Sequence, residues 1–157
     1  MIEIMIAEDQ QLIRESLKII IDSQPEYTVV AALENGEQVL QALKQQRADI
    51  ILMDIRMPVM DGVECTRRIK ESYPDVHVLI LTTFVEDELV MQALLHGASG
   101  YVLKGISLQE LRRAVRIVLE GGSILDPEVA QRMIAMMQKT AEASKCTAGS
   151  AAACEIG

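Results

Sequence analysis

Aromatic side chains are scarce in this chain: its 157 residues include no tryptophan, one phenylalanine and three tyrosines. A flavin carrier needs flat side chains to stack on the ring and a loop to cradle its phosphate, and neither is evident. No Lys/Arg-rich run is present, and the net charge is −8, which argues against tight binding of a nucleic-acid backbone by this segment alone. Cys65, Cys146 and Cys154 are odd in number and lack metal-ligand spacing, so they read as free thiols of a cytosolic protein. His77 and His96 are singletons, which favours placement for packing or at the surface over metal binding. No apolar run approaches membrane-spanning length, and the start carries neither a basic n-region nor a long apolar h-region. The expectation is a soluble, cytoplasmic protein with no membrane partner.

Half of the residues are apolar, enough Ile, Leu, Val and Met for the core of one compact domain. Short apolar runs alternate with longer helical patterns up to about Glu120, the signature of βα units around a parallel sheet covered on both faces. Strands are predicted at Ile2 to Ala7, Thr28 to Leu33, Ile50 to Met53, Val78 to Thr82 and Tyr101 to Leu103. Asn35 with Gln38 and Ser107 with Glu110 fit capping boxes, Asp61 before Gly62 reads as a helix start, and Gly97 and Gly121-Gly122 sit where helices should end. The predicted fold class is α/β: a flavodoxin-like, doubly wound five-stranded parallel sheet of order 2-1-3-4-5. Its ligand crevice lies where the first and third strands adjoin. Asp126-Pro127 reads as the start of an extra C-terminal helix, Pro127 to Gln138, with Val129, Met133, Ile134 and Met137 at helical spacing.

The chemistry sits at strand ends. Ile50-Ile51-Leu52-Met53 is a buried strand pattern that runs out into Asp54, and Ile2 to Ala7 runs out into Glu8-Asp9. Three carboxylates thus meet at two adjoining strand ends, where like charges raise one another's pKa or demand a cation. Hard oxygen ligands without histidine or thiolate suit Mg²⁺.

These residues, with Arg56-Met57-Pro58, Asp61-Gly62, Leu81-Thr82-Thr83-Phe84 and Gly100-Tyr101-Val102-Leu103-Lys104, occur in an order that resembles the receiver domain of two-component response regulators. The likeness is to the CheY-like receivers of NarL/FixJ/LuxR-type transcription factors and spans roughly residues 1–140. It implies Asp54 as phosphoacceptor, and Asp9, Asp54, Glu8 and the backbone carbonyl of Arg56 around Mg²⁺, with Glu8 acting directly or through water. It further implies Lys104 and the Thr82 hydroxyl on the phosphoryl oxygens, with Thr82 and Tyr101 as the switch pair. Thr83 is the register risk, because neighbouring side chains on a strand point to opposite faces. The implied partners are a sensor histidine kinase, a second copy on phosphorylation, and DNA through a C-terminal helix-turn-helix domain that this sequence does not contain.

The division expected is a receiver at 1–122, an extra helix and the start of a linker at 123–140, and a tail at 141–157. The tail is rich in Ala, Ser, Gly and Thr, and reads either as disordered or as an extension foreign to the native gene. Two departures from the family pattern stand out. Gly105 follows the lysine where many receivers carry a cis proline, and Glu8 replaces an aspartate. Arg56 and Phe84, two residues beyond Asp54 and Thr82, are expected to set phosphoryl lifetime. A stand-alone receiver that relays or sinks phosphate is the alternative within signalling. An aspartate-nucleophile phosphatase of the haloacid-dehalogenase type would carry a second aspartate where Arg56 stands, so enzymatic turnover beyond self-phosphorylation and autodephosphorylation is not expected.

Overall fold

The structure is a computed structural model that describes residues 1–83, 88–125, 130–131 and 134–135. Five strands, β1 (Ile2–Ala7), β2 (Tyr27–Leu33), β3 (Ile50–Asp54), β4 (His77–Thr82) and β5 (Gly100–Leu103), form one sheet. They are parallel throughout, in the order β2-β1-β3-β4-β5. Between and after them lie α1 (Gln11–Asp22), α2 (Gly36–Leu43), α3 (Gly62–Ser72), α4 (Glu88–Leu95) and α5 (Leu108–Leu119). Four strands run one residue past their predicted ends because the parallel register supplies partners there. Tyr27 lies opposite Ile2, Asp54 opposite Leu81, His77 opposite Ile50, and Gly100 opposite Leu79.

β3 is buried along its whole length, and β4 from Val78 onward, because helices cover both faces of the sheet. On one face Ile4, Ile6, Ile50, Leu52, Leu79 and Leu81 pack with Ile21 of α1 and Leu111, Ala114, Val115 and Val118 of α5. The alternate residues Met5, Ile51, Met53 and Ile80 are fully buried against the other face. Removing one such side chain from water is worth about 1.5–3 kcal/mol.

The helix ends follow the local sequence. Asn35 accepts from the Gln38 amide, Asp61 from the Glu64 amide and Ser107 from the Glu110 amide, each at 2.9–3.1 Å. The box at Asn35 closes one residue early, since the Gln38 carboxamide oxygen accepts from the Glu34 amide rather than from Asn35. Gly97 and Gly121 end α4 and α5 with φ of +113° and +92°, each with the paired 6→1 and 5→2 bonds of a Schellman motif. Cys65 is buried in α3 and its thiol donates to the Gly36 carbonyl; burial pushes it up to about 12, which leaves it an inert packing residue at neutral pH.

After α5 the chain returns to the open edge of β5. Ile124 pairs in parallel with Gly100, donating to Ser99 and accepting from Tyr101, which covers backbone groups that an edge strand would expose. Residues Met1–Ile124 form one compact unit, which holds the whole sheet and its five helices. The predicted helix at 127–138 falls largely, and the tail at 141–157 wholly, outside the described residues. No helix among the described residues is long and apolar enough to cross a membrane.

Candidate functional site

β1 and β3 are neighbours, so the residues that end them converge. Glu8 follows β1, anchored by its amide to the Leu33 carbonyl at 2.9 Å, and Asp54 is the last residue of β3. One carboxylate oxygen from each of Glu8, Asp9 and Asp54 lies within 4.8 Å of the others. Glu8 is fully buried and Asp54 nearly so, while Asp9 is exposed. The Lys104 ammonium reaches in from the end of β5, 3.0 Å from Glu8 Oε2 and 3.4 Å from Asp54 Oδ2. Its backbone amide donates to the Thr82 carbonyl at 2.8 Å, which ties the ends of β4 and β5 together. Above the buried Glu8 lies a cleft of about 330 Å³ lined by Asp9, Asp54, Arg56, Thr82 and Lys104 among others.

Three carboxylates face one ammonium, so negative charge is in excess. Burial first, and then the adjoining Glu8 carboxylate, raise Asp54 to about 7, against the pull of Lys104. Burial would by itself lower the Lys104 ammonium, but its bond to Glu8 and the charges of Asp54 and Glu8 outweigh that and hold it above its ordinary value. A hard divalent cation among these oxygens would relieve the repulsion, and an all-oxygen donor set fits magnesium rather than zinc or copper. What the arrangement can do is present a carboxylate nucleophile next to an ammonium that can receive the charge of an incoming phosphoryl group.

Of the residues singled out in the sequence, Glu8, Asp9, Asp54, Thr82 and Lys104 are brought together. Thr82 is buried and its neighbour Thr83 exposed, although both border the cleft. The Arg56 side chain is exposed at the rim. Tyr101 is buried in β5, opposite Ile80. Phe84 lies outside the described residues. Gly105 has φ of +96° with open space around it, and the described backbone holds no cis peptide bond.

Two features escaped the sequence. The closer partner of Lys104 is Glu8 rather than Asp54, a consequence of the depth to which β1 carries Glu8. Arg14 of α1 donates to the Glu8 carbonyl at 2.9 Å and the Asp9 carbonyl at 3.4 Å, bracing the acidic loop. An arginine one turn into the helix that follows an acidic strand end is the signal that could have marked it. Gly62 is equally constrained: a methyl group there would sit 2.4 Å from the Asp54 carbonyl oxygen, so α3 can start this close to the site only with glycine.

Residues 4–116 match the response regulator receiver domain family. The chain is 44% identical over 134 residues to the transcriptional regulatory protein LnrK of Bacillus subtilis (strain 168), covering 85% of this chain and 61% of that one. It is 42% identical over 133 residues to the transcriptional regulatory protein DegU of Brevibacillus brevis, covering 85% and 56%. Among solved structures, a LuxR-family two-component response regulator from Aurantimonas sp. SI85-9A1 superposes with a TM-score of 0.74 at 30% identity, over 86% of this chain and 96% of that one. The chain therefore spans 56–61% of the length of these two curated relatives.

Proposed function

The chain belongs to the response regulator receiver domain family, and from that premise we propose that it is the phosphoacceptor module of a two-component transcriptional regulator, with Asp54 as the residue phosphorylated. The observation that carries this reading is the convergence of Asp9, Asp54, Thr82 and Lys104 on one cleft at the carboxyl ends of the strands, with the buried Glu8 carboxylate beside Asp54.

An Asp54 carboxylate oxygen attacks the phosphorus of a phosphohistidine on a sensor kinase. The new O–P bond forms as the P–N bond breaks, and the imidazole leaves. Lys104, already 3.4 Å from Asp54, follows the charge onto a phosphoryl oxygen in a charge-assisted contact. Thr82, at the end of β4, offers its hydroxyl to a second oxygen. Asp9, Asp54, the Arg56 carbonyl and Glu8, directly or through water, are the groups that would hold magnesium, which supplies neutralisation of the phosphoryl charge during transfer. With the Asp54 carboxyl at about 7 in the absence of metal, a cation also keeps the nucleophile ionised.

Movement of Thr82 towards the phosphoryl group, coupled to the buried Tyr101, is the switch in this reading. Turning a receiver from about 1% to about 99% active requires roughly 5.5 kcal/mol of differential stabilisation, within reach of two or three charge-assisted hydrogen bonds and a cation. The output is association of two copies, which positions DNA-binding domains lying elsewhere in the full-length protein. Exposed apolar residues on the first helix support its use in pairing: Leu12 is 79% exposed and Ile19 70%. The protein acts inside the cell, where the kinase domain presents its phosphohistidine.

The test treats the protein and Asp54→Ala with a small phosphoryl donor and Mg²⁺, reading intact mass and light scattering after size exclusion. A single phosphoryl adduct absent from the variant, with a shift to dimer, is expected. An adduct without a change of size would point to a phosphate relay, and no adduct would overturn the assignment of Asp54.

A further inference from the structure

A second cavity, of about 530 Å³, lies at the amino ends of β1 and β2 against the outer face of α5, at the opposite end of the strands from Asp54. That volume is in the range of small-molecule sites. Its wall carries Arg112, Arg113 and Arg116, a concentration of positive charge at odds with the net −8 of the chain. Arg112 is engaged, with Nη2 2.5 Å from Glu26 Oε1 at the head of β2. Among the described residues, Arg113 and Arg116 have no carboxylate within ion-pair distance, and Glu120 at the rim offsets their charge only in part. The apolar side of the cavity is formed by Ile2 and Leu119, both partly buried against the core.

We propose that this cavity binds a small organic phosphate, with its phosphoryl group between Arg113 and Arg116 and its apolar body against Ile2 and Leu119. Two guanidinium groups with no ion-pair partner among the described residues match a dianion better than a monocarboxylate, and the planar fork of arginine suits phosphate oxygens. The apolar side gives a phosphate ester an advantage over the free ion. The Arg112–Glu26 pair holds one wall in place before the ligand arrives. This site is independent of the phosphoacceptor reading, because it uses none of the residues around Asp54.

The experiment titrates phenyl phosphate into the full chain without Mg²⁺, followed residue by residue by amide NMR, with inorganic phosphate and benzoate in parallel. The expected result is saturable binding with shifts at residues 26–27 and 109–120, and affinity about tenfold weaker for either comparison anion, one lacking the apolar body and the other the second charge. The variant carrying Arg113→Gln and Arg116→Gln, both at exposed positions, should lose at least about tenfold while its spectrum stays folded. Shifts centred on Asp54, Thr82 and Lys104, equal affinity for inorganic phosphate, or unchanged binding by the variant would each overturn the proposal.

Discussion

Replacing Asp54 by asparagine should stabilise the metal-free protein, and by an amount that depends on pH in a way fixed by the site's electrostatics. The folded carboxyl titrates near 7, raised by burial and by Glu8, whereas in the unfolded chain it titrates at its ordinary value near 4. Below about pH 4 both states are protonated and the group contributes no difference. Between about 4 and about 7 the unfolded chain has released the proton and the folded chain still holds it, so stability falls as pH rises through that window and is level above it. About three pH units at 1.36 kcal/mol each amount to roughly 4 kcal/mol lost by pH 8, against roughly 1–2 kcal/mol at pH 5. Asparagine keeps the shape and cannot ionise. Asp54→Asn should therefore gain roughly 2–4 kcal/mol at pH 8, on the order of 10 °C in Tm for a domain of this size, and clearly less at pH 5. Far-UV circular dichroism melts of both proteins in chelator read it directly. Mg²⁺ should narrow the gap by stabilising the ionised wild-type site. Equal Tm at pH 8, or a gap that ignores pH, would refute the claim that Asp54 is held in an unfavourable charged state.

Magnesium affinity should fall by about tenfold per pH unit below about 7, since the ion must displace the proton on Asp54, and level off above; calorimetric titration at several pH values checks it. Lys104→Met leaves the fully buried Glu8 without its cation and should cost roughly 3–5 kcal/mol at pH 8 in urea unfolding. Adding Glu8→Gln should restore most of that loss, and failure to do so would show that the lysine stem, not its charge, matters. Gly62→Ala drives a methyl into the Asp54 backbone and should lose at least about 2 kcal/mol together with phosphoryl adduct yield. Gly105→Ala, with open space but φ of +96°, should lose only about 1 kcal/mol. Arg56→Ala should change the rate of dephosphorylation without changing the stoichiometry of the adduct, as followed by intact mass over time.

Much of the architecture was legible because the signals involved are local. Alternation of apolar runs with helical periodicity identifies βα units without any knowledge of contacts, and caps such as Asp61 and Ser107 act within three residues of themselves. The Schellman ends at Gly97 and Gly121 are of the same kind, since a left-handed residue is needed wherever a helix turns back in that way. The cover of the β5 edge by Ile124 was not legible, because nothing local distinguishes a residue after a helix that returns to the sheet from one that leaves it.

The sequence by itself determined which groups are available for chemistry: carboxylates at the ends of two apolar runs, a hydroxyl and a lysine at the ends of two more, and hardly any side chain suited to a competing cofactor. Tertiary structure alone decided how they share charge. The order β2-β1-β3-β4-β5 sets Glu8 beside Asp54 and sinks it out of water, so that Lys104 pairs more closely with Glu8 and Asp54 is left near neutral pH in its titration. Burial and distance govern that division, and both arise only when strands far apart in sequence lie side by side.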